Sequence, residues 1–193
     1  MKSIVLCISF LLVSSSQAGI GENLTKEINA SGSASDKVKA YVVKSLIPLI
    51  SNKVFIAETK KQNAKNTSLD EIKKIDKEWQ AAEDLLPIQE AVTTNICAEE
   101  INKIIKANPA IKEAFVMDNK GAVVGENDLT SDYWQGDEAK WQNSFKDGKG
   151  GVDVGKVKFD KSANTQLQQI SLPIVDGDKV IGAITFGLDI TKL

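Results

Sequence analysis

Between Ser131 and Phe145 the chain gathers Asp132, Tyr133, Trp134, Asp137, Glu138, Lys140 and Trp141. Aromatic faces mixed with a few polar groups are what small-ligand pockets are built from. Tyr133, Trp134, Asp137, Lys140 and Trp141 are therefore the candidate binding residues of this stretch. Lys140 can neutralise an anion as a point charge. Asp132, Asp137 and Glu138 are the carboxylates that a histidine-free hydrolase would use, but no residue type nearby orients or activates them. Packing competes with each reading. Trp141 and Phe145 lie four apart and can pin a short helix to a sheet. Tyr133 and Trp134 are adjacent and point different ways, so one can be core. Asp118, Asn119 and Gly121 lack the further oxygen ligands of a calcium loop and read as a turn.

Composition narrows the chemistry. The 193 residues include 24 basic side chains, all lysine, against 26 acidic ones, for a net charge of −2. Without histidine there is no Ser-His-Asp or Cys-His catalysis, no histidine metal site and no histidine pH switch. Without arginine there is no rigid bidentate clamp for carboxylate or phosphate. A slightly acidic chain is a poor nucleic-acid partner, because phosphate contacts dominate that affinity. No cofactor and no metal site is expected.

Residues 1–18 read as a secretory signal. Lys2 opens it, Ser3 to Val13 is a short apolar run, and Ser16 and Ala18 occupy the small-residue positions of a cleavage site after Ala18. The run is about half the ~20 apolar residues that span a bilayer. A periplasmic or secreted protein follows from that segment. After cleavage Cys97 is the remaining cysteine, so it is expected as a buried, inert thiol.

The elements that must position these residues change character near Pro109. Three of the 13 glycines precede it and ten follow, so helices give way to strands and turns. Residues 19–34 are expected to be a flexible N-terminal segment, and 35–193 one domain, helical over 35–109 and sheet over 110–193. Ser35 or Asp36 caps a long helix with Val38, Tyr41, Val42, Leu46, Leu49 and Ile50 inward, kinked at Pro48 and continuing toward Lys61. Ser68 caps a second helix with the stripe Leu69, Ile72, Ile75, Trp79, Ala82. A third runs from about Ala98 to Ala107 and stops at Asn108-Pro109. Residues 85–94 are ambiguous because of Pro87. Five strands follow over 111–118, 122–126, 152–160, 166–175 and 180–190, mostly antiparallel. Asn119-Lys120-Gly121 and Asp176-Gly177 supply turns, and a short helix lies near 138–145. Gly155 marks a bulge. The class is α+β with helices packed on the sheet.

The order of these elements carries a resemblance. Asn108-Pro109-Ala110-Ile111 is followed by Phe115-Val116-Met117-Asp118-Asn119-Lys120-Gly121, by the loop Ser131-Asp132-Tyr133-Trp134-Gln135-Gly136-Asp137-Glu138 with Trp141, and by Ser171-Leu172-Pro173-Ile174 and Val180-Ile181-Gly182-Ala183-Ile184. Together they resemble the Cache (PDC-type, PAS-like) extracytoplasmic sensor domains of bacterial chemoreceptors and histidine kinases, over roughly residues 35–193. The resemblance implies a PAS-like sheet with a small-ligand pocket on one face, signal transduction of the kind used in chemotaxis, and no enzymatic activity. It adds Asp153, near the strand position where a family acid receives a ligand amine. It implies a membrane receptor or histidine kinase as partner and a homodimer through the N-terminal helix. The loop arginine of amino-acid-binding members has no counterpart here, so the ligand is expected to be a small polar molecule that is uncharged, cationic, or an anion held by lysine. The chain also ends right after its last strand, without the flanking membrane helix of the receptors. The alternatives are a structural or protein-interaction module with no small ligand and, third, the carboxylate hydrolase.

Overall fold

The computed structural model describes residues 13–160 and 165–193. Most of the signal-like segment, residues 1–12, lies outside the described residues. Seven α-helices and six strands are described, in the order α1 (Val13–Ala30), α2 (Asp36–Tyr41), α3 (Lys53–Ala64), α4 (Leu69–Ala81), α5 (Pro87–Thr94), α6 (Ile96–Ala107), β1 (Ile111–Met117), β2 (Val123–Glu126), α7 (Ala139–Phe145), β3 (Asp153–Val154), β4 (Lys158–Asp160), β5 (Thr165–Asp176) and β6 (Lys179–Asp189).

The sheet runs β2-β1-β6-β5-β3, with β4 also on β5, and every pairing is antiparallel. This is the α+β, PAS-like arrangement expected, with six strands in place of five. Residues 152–160 form two short strands because the chain leaves the ladder after Val154, where the Gly155 amide donates to the Gln169 carbonyl. Val116, Ile184, Leu172, Ile170, Phe186 and Leu188 face the helices and form the main core with Val38, Val42, Leu46, Phe55 and Ile101. Alternate residues of the same strands face the other way.

Ser35 caps α2 through the Val38 amide, and Ser68 caps α4 through the Glu71 amide. The long helix is segmented. After α2 it widens into a π turn over Val42–Leu46 and tightens into a 3-10 turn over Ile47–Ser51. Pro48 has no amide to give to the Lys44 carbonyl, so the hydrogen-bond ladder changes register ahead of it. The real break is at Asn52, whose Oδ1 caps α3, with a 52° bend. Pro87 does not interrupt α5 but begins it, where a missing amide costs nothing.

Residues 19–34, expected to be flexible, are mostly helix. Ile20, Leu24 and Ile28 recur at every fourth position, and Leu24 and Ile28 are buried in the main core. Even the turn that follows is held, with Gln168 Nε2 donating to the Ser33 carbonyl at 2.8 Å. Among the described residues no single helix is long and apolar enough to cross a membrane.

Cys97 is fully buried beside Gly125 and is free. Burial, with Glu58 and Glu100 nearby, pushes its thiol well above the ordinary value. The native chain is therefore expected to resist a thiol-specific disulfide reagent and to titrate one thiol there only after unfolding. Rapid native reaction at Cys97 would contradict this packing.

Candidate functional site

Strand pairing lines up five side chains across the outer face of the sheet. Glu126 on β2 pairs with Phe115 on β1, Phe115 with Thr185 on β6, Thr185 with Ser171 on β5, and Ser171 with Asp153 on β3. Directly paired residues project from one face, and their neighbours Val116, Ile184 and Leu172 go to the helical core. The strip holds two carboxyls, two hydroxyls and one ring. The hydroxyls of Ser171 and Thr185 share a hydrogen bond at 2.8 Å.

Helix α7 closes this strip. Trp141 packs on the small cluster of Phe115, Met117 and Ala183 and stacks on Phe145 with ring centroids 4.9 Å apart. Its Nε1 donates to the Asp118 carbonyl at 3.0 Å, and Asn143 Nδ2 donates to Asp153 Oδ1 at 2.7 Å. Lys140 Nζ lies 5.2 Å from the Phe115 ring centroid and 3.0 Å from Glu138 Oε2. Phe115, Ser171 and Thr185 are consequently buried.

Residues 133–135 run along the β2 side of the sheet instead. The Val123 amide donates to the Tyr133 carbonyl, and the Gln135 amide to the Gly121 carbonyl. Helix α4 clamps this edge. Asp76 Oδ1 accepts from the Trp134 amide, Lys73 Nζ lies 4.5 Å from the Trp134 ring centroid, and Trp79 sits 5.6 Å from Tyr133, centroid to centroid. Trp134 Nε1 donates to the Lys120 carbonyl at 2.8 Å. Tyr133 is buried, 7% exposed, and lines a small cavity of about 130 Å³ with Asp118 and Gln62. Asp118 Oδ1 caps the turn by accepting from the Lys120 and Ala122 amides. Burial pushes its carboxyl up, while these bonds, Gln62 and Lys120 pull it down.

The six sequence candidates thus fall into two groups. Lys140 and Trp141 on α7 pack at Phe115, and Asp153 is bonded to Asn143 of the same helix, whereas Tyr133 and Trp134 pack against α4 and the hairpin. Asp137 is exposed between the groups. Of the carboxylates suited to hydrolysis, Asp132 is bonded to Gln135 and Ser131, and Glu138 is paired with Lys140. Among the described residues no three potential metal-binding side chains come together.

Sequence reasoning did not single out Glu126, Ser171 or Thr185. Ser171 was within reach, since Ile170 and Leu172 were assigned to the core face, but Glu126 depends on a register that bulges set. Glu126 is fully buried. Its Oε2 accepts from the Thr130 amide at 3.1 Å, and its Oε1 has no partner. Burial, reinforced by Asp128 and Asp132, raises its carboxyl to about 7 against the opposing bonds from Thr130.

No family model and no curated protein matches the sequence. Solved structures of similar fold include the sensor domain of the V. cholerae histidine kinase DctB (12% identity, 93% of this chain and 57% of that one, TM-score 0.42). Others are the sensory domain of the Campylobacter jejuni chemoreceptor Tlp3 with isoleucine bound (13% identity, 96% and 66%, TM-score 0.37) and the ligand binding domain of Mlp24 with asparagine (14% identity, 95% and 62%, TM-score 0.38). The chain therefore spans less than two thirds of the length of these domains. The likeness is one of fold and carries no argument about ligand or partner. The neighbours are sensor domains of the Cache (PDC) class, the class that the motif order resembles.

Proposed function

We propose that the chain is an exported, non-enzymatic sensor domain that binds a small polar molecule on the outer face of its sheet and relays occupancy to a membrane receptor or histidine kinase. The observation that supports this reading is the strip Glu126–Phe115–Thr185–Ser171–Asp153. It is a line of hydroxyls, carboxyls and one aromatic ring on the side of the sheet away from the core. A core has no use for such polar groups, whereas a ligand seat needs a few of them on an apolar floor. The cover is a helix of seven residues, latched through Trp141 and Asn143. Along the strip and its cover stand two carboxyls, Glu126 and Asp153, and one ammonium, Lys140, which is already paired with Glu138. An uncharged or cationic ligand suits that balance best.

A route out of the site is built in. Glu27 on α1 accepts from the Val152 amide at 2.9 Å and lies 3.5 Å from Lys146 Nζ, so the segment following α7 is tied to the N-terminal helix. Displacement of α7 by a ligand would pull on α1, the element expected to meet a receptor or a second copy. Export rests on the signal-like residues 1–18.

A thermal-shift screen of amino acids, carboxylates, amines and sugars tests the reading. A ligand at a hundredfold excess over its Kd adds about 2.7 kcal/mol, and Thr185→Val or Trp141→Ala should abolish that gain. A second reading, an interaction module with its pocket filled by its own side chains, is favoured by the seating of Trp141 on Phe115, Met117 and Ala183. It predicts that no compound stabilises the fold and that a partner protein binds equally well with the screen compounds present.

A further inference from the structure

We propose a second ligand site on the outer face, at the β4 end of the sheet, for a small 2-hydroxy acid with an apolar tail. It is separate from the strip under α7 and needs no movement of that helix.

The site starts from a bulge. The β1–β6 register shifts between Ile111 and Glu113, so that Ile111 faces the core opposite Leu188 while Glu113 stands on the outer face opposite Gly187. Bulges commonly re-aim a side chain in this way. A side chain on Gly187 would collide with that of Glu113. Glu113 therefore lies across β6 at a position with no side chain of its own, and its Oε1 accepts from Gln169 Nε2 on β5 at 2.9 Å. The carboxylate is held flat on the sheet with a hydrogen bond fixing its orientation.

Beside it opens a cleft of about 250 Å³. It is lined by Glu113 from β1, by Leu167 and Gln169 from β5, and by Lys156, Lys158 and Phe159 from β4 and the segment before it. Neither lysine forms an ion pair with a described residue.

Each wall asks for one part of a ligand. Two ammoniums against one carboxylate leave an excess positive charge, which attracts an anion. Lysine holds an anion as a point charge and needs no bidentate geometry. The Glu113 carboxylate only accepts hydrogen bonds, so the ligand group over it must donate, as a hydroxyl does. Leu167, on the outer face with Gln169, takes an apolar tail. Carboxylate, neighbouring hydroxyl and tail together make a 2-hydroxy acid.

Amide NMR titration of the full chain with mandelate tests this, alongside phenylacetate, which lacks the hydroxyl, and 1-phenyl-1,2-ethanediol, which lacks the carboxylate. Mandelate should shift the amides of Gly155, Gln169 and Gly187, and both analogues should bind at least tenfold more weakly. Lys156→Gln with Lys158→Gln should cost at least tenfold in mandelate affinity, and Glu113→Gln at least threefold. The analogue comparison uses only the unmodified chain, so it stands even if a variant misfolds. No shift at those three amides, equal binding of the three probes, or mandelate binding that survives loss of both lysines in a folded variant would overturn the proposal.

Discussion

Glu126→Gln should stabilise the folded chain by about 3 kcal/mol at pH 8 and leave it nearly unchanged at pH 4. The native carboxyl titrates at about 7 against an ordinary 4.5, chiefly because it is buried. Below the ordinary value the group is protonated in both the folded and unfolded chains and contributes no pH dependence. As the pH climbs through 7, the folded state must ionise a carboxylate that has one unpartnered oxygen and no exposure. The stability present at low pH is therefore lost on raising the pH, the reverse of the usual salt-bridged carboxylate. Glutamine keeps an acceptor for the Thr130 amide and carries no charge. Urea unfolding at the two pH values measures the difference, and equal effects at both would show that Glu126 is not buried as described. Glu126 also ends the outer strip, so a cationic ligand seated there should bind more tightly as the pH rises through 7.

Gly121→Ala should cost about 3 kcal/mol. Gly121 has φ +86, where a side chain is strained by roughly 1–2 kcal/mol. An added Cβ would also run into the backbone of Gly136, and overpacking of this kind costs about 1–3 kcal/mol. The position matters beyond stability. The Gly121 carbonyl receives the Gln135 amide, the neighbouring Lys120 carbonyl receives Trp134 Nε1, and the Asp118 carbonyl receives Trp141 Nε1. The hairpin turn thus fixes both the loop and the α7 cover. Denaturant unfolding should show the loss, and indole fluorescence should change with it. A variant of unchanged stability would mean that the turn and loop are not in contact.

The local grammar was readable because it is written in short-range physics. Ser35 and Ser68 cap helices through amides three residues ahead. Ile170, Leu172 and Ile174 take the core face of β5 by alternation. Trp79 falls on its helical stripe and is buried. Leu69 shares that stripe but is 43% exposed, since it opens the helix before the packed turn. Composition alone made 19–34 look flexible, because its small polar residues mask Leu24 and Ile28.

The candidate site was only half legible. Lys140 and Trp141 were named and belong to α7, and Asp153 was named and is bonded to Asn143 of the same helix. Their partners Glu126, Ser171 and Thr185 come from three other strands. Which of these face one another depends on the register shifts at Met117 and at Glu113. A one-residue slip would turn each of them to the opposite face, and no local pattern encodes that choice. Tyr133 and Trp134 are drawn elsewhere by Trp79 and Asp76 on α4, contacts more than fifty residues away in sequence.

An amide NMR titration with a compound that raises the melting temperature tests the central claim most directly. A ligand seat on the outer strip predicts the largest shifts at Phe115, Ser171 and Thr185 and at the Trp141 indole, with smaller ones reaching Val152 and Glu27. Shifts confined to other surfaces, or a broad library with no stabilising compound at all, would contradict it.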